Sequence, residues 1–207
     1  MRHPQKPVRS PIARAVPTTR SHAALLLLTI LLMLTAVLLA SGASAEVGDS
    51  KEFRKTVELE AGGRLSLETY KGSITLTSWN KEEVEIYARI EPGDHVSSSY
   101  AAESVQATEV DVYGSGGSVS IRSDYDDVPS ERSWLFGQSR NLPYVHYEIK
   151  AQKNIRLRID NHKYEMTISD FIGSFSVETH KGTLEASDLD GDIIFDTHKG
   201  DFRLTKI

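Results

Sequence analysis

The chain contains no cysteine among its 207 residues. Disulfide bonds, thiol nucleophiles and a lipid-anchored cysteine are therefore excluded, so stability has to come from packing alone. The sequence also lacks a Gly-x-Ser-x-Gly nucleophile elbow and a His-Glu-x-x-His zinc-protease motif. No pair of carboxylates and no Ser/His/Asp order stands out. We therefore predict no catalytic residue, no cofactor site and no enzymatic activity.

The first 45 residues lack acidic side chains but carry five basic ones. An apolar run over residues 23–40 follows, and the small residues Ala43 and Ala45 come just before Glu46. A basic start, an apolar stretch and an Ala-x-Ala ending are typical of a secretory signal peptide, which we predict over residues 1–45. The alternative is an uncleaved membrane anchor, because the length of the apolar run is at the lower limit for crossing a bilayer.

Both alternatives place the remaining residues, 46–207, outside the cytoplasm. We expect this domain in the periplasm, in the outer cell envelope or in the medium. Without the five basic residues of the leader, 19 basic residues face 29 acidic ones, which gives a net charge of −10. Nucleic acid binding requires a cationic face, so an acidic exported domain is a poor candidate for it.

A short phrase recurs at a fixed interval near the C-terminus. It begins at His162, His180 and His198, so each copy starts 18 positions after the one before. Lysine follows each histidine, and glycine comes next in the second and third copies, whereas the first has Tyr164. An equivalent phrase begins at Tyr70. A fixed short period is typical of repeat architectures in which each unit stacks on its neighbour.

Each period of the repeat has room for two short strands. The apolar residues assigned to these strands are Met166, Ile168, Phe175, Val177, Leu184, Ala186 and Ile194, with Phe202 and Leu204 closing the series. Asp170 and Asp188 each precede a glycine by three positions, which is a turn composition. We therefore predict an all-β protein with a short β-solenoid (β-helix or β-roll-like) of about 18 residues per coil.

The preceding part of the chain is also rich in alternating apolar residues. Runs within residues 53–60, 65–67, 74–76 and 84–90 are separated by short turn segments. They predict a strand meander of four strands that leads into the solenoid.

Residues 123–143 form a long loop in this interpretation. They contain Trp134, Leu135 and Phe136 between charged and turn residues. Long loops often carry binding function, and exposed aromatic residues contact sugars or partner proteins. The alternative, held open here, is that the three residues cover an open end of the repeat stack.

Three segments carry a family resemblance. They are Glu-Thr-Tyr-Lys-Gly-Ser-Ile at 68–74, Glu-Thr-His-Lys-Gly-Thr-Leu at 178–184 and Asp-Leu-Asp-Gly-Asp-Ile at 188–193. They resemble the bacterial "putative adhesin" family, a family of unknown function, over residues 53–207 and most strongly over 144–207. The resemblance implies an exported domain of β-strand repeats. Its motifs concern turns and strands, so it implies no catalytic residue.

The histidines at 162, 180 and 198 are the strongest candidates for chemistry. In stacked coils they would form a row about 4.8 Å apart, and imidazole is a common zinc ligand. A straight row does not converge on one point, however, and the lysine after each histidine would repel a cation. We therefore interpret the row as exposed turn residues and predict no metal site.

Alternating acids at Asp188, Asp190 and Asp192 invite comparison with calcium loops. Gly191 interrupts the spacing that an EF-hand requires, and no closing glutamate follows. The favoured interpretation is a solvated turn.

The function that we expect is a non-enzymatic envelope protein of adhesion or scaffolding type. Its partner would be an envelope protein or a surface glycan. The alternative is a carbohydrate-active, or a sugar- or metal-binding, β-helix protein. Acids that converge in a groove would favour the alternative, and a flat repetitive face would favour the structural role. The strand that ends near Ile207 leaves an edge on which the chain could associate with itself.

Overall fold

The described part of the protein is mostly β-strand with one short helix. The computed structural model describes residues 50–133, 137–139 and 141–207. The signal peptide predicted over residues 1–45, the alternative anchor at 23–40 and the trio Trp134, Leu135 and Phe136 all lie outside the described residues. Within the described ranges, no helix is long and apolar enough to cross a membrane.

The elements follow one another in a simple order. In chain order they are β1 (Lys51–Glu68), β2 (Lys71–Trp79), β3 (Glu83–Glu91), α1 (Ser98–Ala107), β4 (Glu109–Asp124), β5 (Glu131–Ser133), β6 (Gly137–Ser139), β7 (Tyr144–Gln152) and β8 (Asn154–Thr205). Ser97 is the N-cap of helix α1, and its hydroxyl accepts a hydrogen bond from the amide of Tyr100. The segment Ser98–Ala107 before β4 is therefore helical.

Six of the strands form one hydrogen-bonded set in the order β3-β7-β2-β8-β1-β4. A further pairing of β3 with β1 closes the first five into a ring, and β4 pairs with β1 alone. The first part of β1 pairs with β3 antiparallel, and β7 also pairs with β3 antiparallel. The later part of β1 pairs in parallel with β4 and β8, and β2 pairs in parallel with β7 and β8.

The predicted strand meander is therefore wrong. A meander requires each strand to pair with the next, but β2 pairs with neither β1 nor β3. The runs at 53–60 and 65–67 also belong to one strand, β1, which passes through a register shift between Leu59 and Arg64. The physical reason is that β2 and the end of β1 bury their apolar faces in parallel pairings with β8, far along the chain.

Strand β8 runs for 52 residues and carries the repeat. Its residues 155–160 lie beside the end of β1, and residues 163–169 lie beside β2. Asp170 and Asp188 adopt left-handed backbone angles, with φ of 66° and 54°, so the predicted aspartate turns are present. At Gly182 and Gly200, the backbone passes so close to the residue 18 positions earlier in the chain that a Cβ would overlap that residue's carbonyl oxygen.

The alternating apolar residues of the repeat line the core. Six of the seven that precede the last period are buried as predicted, namely Met166, Ile168, Phe175, Val177, Leu184 and Ala186. The seventh, Ile194, is 66% exposed, because its neighbours Ile193 and Phe195 pack against the core instead. Phe202 and Leu204, which close the series, are 39% and 48% exposed. The residues before β7 contain a small antiparallel pair, β5 with β6, so the long loop predicted at 123–143 holds a short two-stranded sheet.

Candidate functional site

The equivalent rings of successive layers stack into one continuous row. The centroids of Tyr70 and His162 are 4.7 Å apart, those of His162 and His180 are 4.6 Å apart, and those of His180 and His198 are 5.0 Å apart. Neighbouring planes are within 9° of parallel. This ring column (Tyr70, His162, His180 and His198) confirms the predicted histidine row and adds Tyr70 as its first member.

Two columns of charge flank the ring column. The residue two positions before each ring is acidic, which gives the acid column of Glu68, Asp160, Glu178 and Asp196. The residue after each ring is basic, which gives the lysine column of Lys71, Lys163, Lys181 and Lys199. The acid and ring columns line an open groove of about 560 Å³ along the corner of the stack.

Polar residues between the acid and ring columns hold this corner in place. The backbone amide of Thr69 donates to the carbonyl of Asp160 at 3.1 Å, and that of Lys163 donates to the carbonyl of Tyr70 at 2.8 Å. The buried hydroxyl of Thr179 donates to the side-chain oxygen of Asn161, one layer earlier, at 2.7 Å. Because these groups are buried and satisfied, they fix the spacing of the exposed columns.

The ring column is poorly suited to chelate a metal ion. Zinc–nitrogen bonds are about 2.0–2.1 Å long, so one ion can bridge nitrogens at most roughly 4.2 Å apart. The rings are 4.6 to 5.0 Å apart with their faces against one another. Across the described ranges, no group of three or more histidine, aspartate or glutamate side chains is placed to hold a metal ion.

The acid column does not single out a catalytic pair. Glycosidases use two carboxylates with different environments, one as an acid and the other as a base or nucleophile. Here each carboxylate is followed by an equivalent one in the next layer, and each precedes a Thr or Asn. The inner rings also cover each other's faces, so His162 and His180 present edges rather than the open faces on which sugars stack.

The aspartate turns are occupied by lysines. Lys206 Nζ lies 3.3 Å from Asp188, and Lys153 Nζ lies 2.5 Å from Asp170. Hydrogen bonds from Lys153 and Ser78 hold the pKa of Asp170 below its usual value. A lysine at each turn competes with a cation, so the geometry favours a structural role for both aspartates.

Lys71 differs from the rest of its column in a way that the repeat alone does not indicate. Its ammonium group lies 4.1 Å from the ring centre of Tyr144 and donates to Asn141 Oδ1 at 3.0 Å. Burial lowers the pKa of Lys71, and the negative charge of Asp94 opposes that shift. Because Asn141 and Tyr144 are far from Lys71 in the chain, no local pattern of the sequence predicts this contact.

Comparisons with known proteins give few likenesses. No protein-family model and no curated protein matches the chain. A solved structure described as a putative cell adhesion protein, from Clostridium sporogenes ATCC 15579, has 9% identity and a TM-score of 0.44 over 76% of this chain and 100% of that one. A putative adhesin from Parabacteroides merdae ATCC 43184 has 6% identity and a TM-score of 0.26 over 76% and 96% of the two chains.

A third solved structure, a putative lipid binding protein from Parabacteroides distasonis ATCC 8503, has 9% identity and a TM-score of 0.29 over 74% of this chain and 60% of that one. Some of these proteins are thus described as adhesins, and another is described differently. All of the TM-scores are below 0.5, so the functional argument has to rest on the surface of this chain.

Proposed function

We propose that the protein is an exported, non-enzymatic envelope protein of adhesion or scaffolding type, built as a short β-solenoid of about 18 residues per coil. The observation that carries the proposal is the repetition of surface chemistry from layer to layer. Acid, ring and lysine recur at equivalent positions of the corner, so the surface presents rows of like groups. Such rows suit an extended partner that makes the same contact many times.

The solenoid architecture is supported by the register of the strands. Parallel pairing joins Leu65 with Leu157 and Ile74 with Met166, so inward residues meet inward residues. The close approaches of Gly182 and Gly200 continue the same register from one coil to the next. A regular register of this kind is what a solenoid requires.

Export is supported by the sequence alone. Residues 1–45 combine a basic start, the apolar run at 23–40 and an Ala-x-Ala ending. A fold that needs no disulfide is compatible with an envelope compartment, because packed strands supply its stability.

The corner groove favours one second candidate, a carbohydrate-active protein. Carboxylates and imidazoles from several layers face the same groove of about 560 Å³, and those groups serve as acids and bases in glycoside cleavage. In that case Glu178, in the middle of the acid column, would be the first residue to test.

The experiment is to express the full chain with a C-terminal tag in a bacterial host, fractionate the cells and assay soluble polysaccharides for cleavage. We expect a shortened protein in the envelope or medium, and no release of reducing ends. Cleavage that Glu178→Gln abolishes and Glu165→Gln retains would establish the carbohydrate-active alternative, because Glu165 is an exposed carboxylate outside this groove. A full-length protein confined to the cytoplasm would contradict the export part.

A further inference from the structure

Three arginines share one outward face beside the corner. Arg64 of β1 lies directly opposite Arg156 of β8 in parallel register, and Arg158 lies opposite Ser66. All three side chains are exposed, because inward neighbours such as Leu65 and Leu157 take the alternate positions. We call Arg64, Arg156 and Arg158 the arginine patch.

The arginine patch is poorly neutralised by the protein itself. Among the described residues, no carboxylate lies within 4.0 Å of Arg64 or Arg156. Arg156 Nε donates instead to the carbonyl of Gly62 at 3.0 Å, and this hydrogen bond orients its guanidinium group. Arg158 reaches Glu178 only at 4.0 Å, and its side chain is 60% exposed.

This arrangement opposes the usual preference of a sheet. Like charges directly opposite each other on neighbouring strands are destabilising. The residue beside Arg64 on β4 is Ser118, and the residue beside Arg156 in the following part of β8 is Ser174. An uncharged residue is therefore compatible with these positions. In a domain that is acidic overall, two unpaired guanidinium groups side by side call for an anionic partner.

We propose that the arginine patch binds the anionic groups of a linear polysaccharide, either carboxylates or sulfate esters. Arg64 and Arg156 are about 4.8 Å apart across the strands, and Arg158 is about 6.6 Å further along its strand. Guanidinium groups bind planar or tetrahedral oxyanions through two parallel N–H donors. One anionic group therefore fits between Arg64 and Arg156, and the next group of the same polymer reaches Arg158.

The surroundings of the patch favour a narrow polymer over a membrane. Glu68 and Asp160 point outward on the same face, and Asp192 follows in the column of Arg156. A flat anionic bilayer pressed against this face would meet those carboxylates as well as the arginines. A polymer chain lies along the arginines without covering the acids.

A second copy of the protein is also a poor occupant. Five strands of about six residues cover roughly 500 Å² at ordinary strand spacings. Stable protein interfaces bury roughly 800 Å² on each partner. The face is thus too small for a stable dimer but large enough for a few sugar units.

The biological role of this ligand rests on the proposed adhesive function. The binding itself is tested separately, on the purified protein. The full chain, purified from the expressing host, is titrated with polygalacturonate as the carboxylated probe and with heparin as the sulfated probe. Neutral dextran and vesicles of phosphatidylglycerol serve as comparison probes. Because exposed charges are screened by salt, the titration is repeated at rising sodium chloride.

We expect at least one of the two anionic polysaccharides to bind at low salt, with an affinity that falls as salt rises. The double variant Arg64→Ser/Arg156→Ser should weaken binding about tenfold or more, the scale of losing charge-assisted hydrogen bonds. The matched control Arg89→Ser/Arg203→Ser removes the same charge from two arginines already paired with Glu91 and Glu185, and should change affinity less than about twofold.

Two further measurements distinguish a loss of binding at the arginine patch from a loss of folding and from a change in net charge. The serine double variant should melt at or above the temperature of the parent protein, because the like-charge contact is gone. The variant Arg64→Lys/Arg156→Lys keeps the charge without the two-donor fork, so its affinity should fall between parent and serine variant.

The proposal is overturned if neither anionic polysaccharide binds, if the control loses as much affinity as the patch variant, or if only the vesicles bind. If the protein is exported and cleaves no polysaccharide but gives any of these three binding results, the proposed envelope function is retained. Only the assignment of an anionic polysaccharide as its ligand is then rejected. If the arginine patch binds an anionic polysaccharide but the protein stays in the cytoplasm, the ligand assignment is retained and the proposed envelope function is rejected.

Discussion

One column of the fold shows how a single residue decides whether neighbouring layers can approach. Gly72, Tyr164 and Gly182 occupy equivalent positions in three successive layers. The glycines adopt φ of 144° and 152°, where a side chain would overlap the carbonyl of the layer before. Tyr164 instead turns its ring into the core, and its hydroxyl donates to the carbonyl of Val145 at 3.0 Å. Tyr164, which stands where the other phrases have glycine, thus fills the core with its ring.

Replacing Gly182 by alanine should therefore destabilise the protein strongly. The substitution combines a backbone angle that L-residues rarely adopt with an overlap on Tyr164 O, so we expect a loss of about 2–4 kcal/mol. Urea unfolding of the full chain measures it. Gly117→Ala is the control, since a Cβ there meets nothing within 4 Å and φ is not positive. Equal stability of the two variants would show that the layers do not pack this closely.

A chain of buried hydroxyls predicts how stability changes in alkali. Because the proton of Tyr164 goes to Val145 O, the other bonds run in one direction, from Tyr147 to Ser123, then to Thr69, then to Tyr164, at 2.6–2.8 Å. Burial raises the pKa of both Tyr147 and Tyr164. The native protein therefore keeps these protons at a pH where the unfolded chain loses them.

The free energy of unfolding should accordingly hold below about pH 10 and fall above it, by up to about 1.4 kcal/mol per pH unit for each buried phenol. Urea unfolding between pH 8 and pH 11 gives the slope. Tyr147→Phe should be less stable at neutral pH but should show a shallower alkaline slope, whereas Leu204→Ala, which removes no titratable group, should keep the slope of the parent. A Tyr147→Phe slope as steep as that of the parent would argue against burial of this phenol.

At the scale of elements, local alternation predicted the strands of the repeat but not the pairing of the earlier ones. Met166, Ile168, Phe175 and Val177 are buried as their period of two predicts. Pairing of β1 with β8 joins Leu65 to Leu157, and no local pattern carries information about a partner so far along the chain. Inside the repeat, prediction of burial from sequence is ambiguous at the apolar run 193–195. There Ile193 and Phe195 are partly buried and Ile194 is exposed.

Two leucines on the repeat strands test how burial is distributed among the layers. Leu184 is fully buried, while Leu204, in the last layer, is 48% exposed. Truncating Leu184 to alanine leaves a cavity between layers, so we expect a loss of about 2–5 kcal/mol, as for other buried Leu→Ala changes. Leu204→Ala should cost less than about 1 kcal/mol, because about half of its surface already lies in water. Thermal and urea unfolding of both variants give the comparison, and a larger effect at Leu204 would mean that another surface covers it in solution.

For the whole molecule, the candidate site could be foreseen only where it follows the repeat. The fixed spacing of the repeat predicts that His162, His180 and His198 align, and the structure places their rings 4.6 and 5.0 Å apart. Arg64 and Arg156 are far apart in the sequence, in a region without that period, so only the register of β1 on β8 brings them together. The histidine row was thus accessible from sequence, whereas the arginine patch required the fold.

The stack also predicts a gradient of local stability along β8. Residues 163–169 have β2 on one side and the next layer on the other, while the layer that contains Phe202 and Leu204 is covered on one side. In a one-dimensional stack, local stability follows the number of neighbouring layers, and poorly covered layers open most easily. Amide hydrogen exchange should therefore be slowest at 163–169, intermediate at 181–187 and fastest at 199–205. Slow exchange at 199–205 would contradict this gradient, and its loss on dilution would indicate that another copy of the protein covers these residues at high concentration.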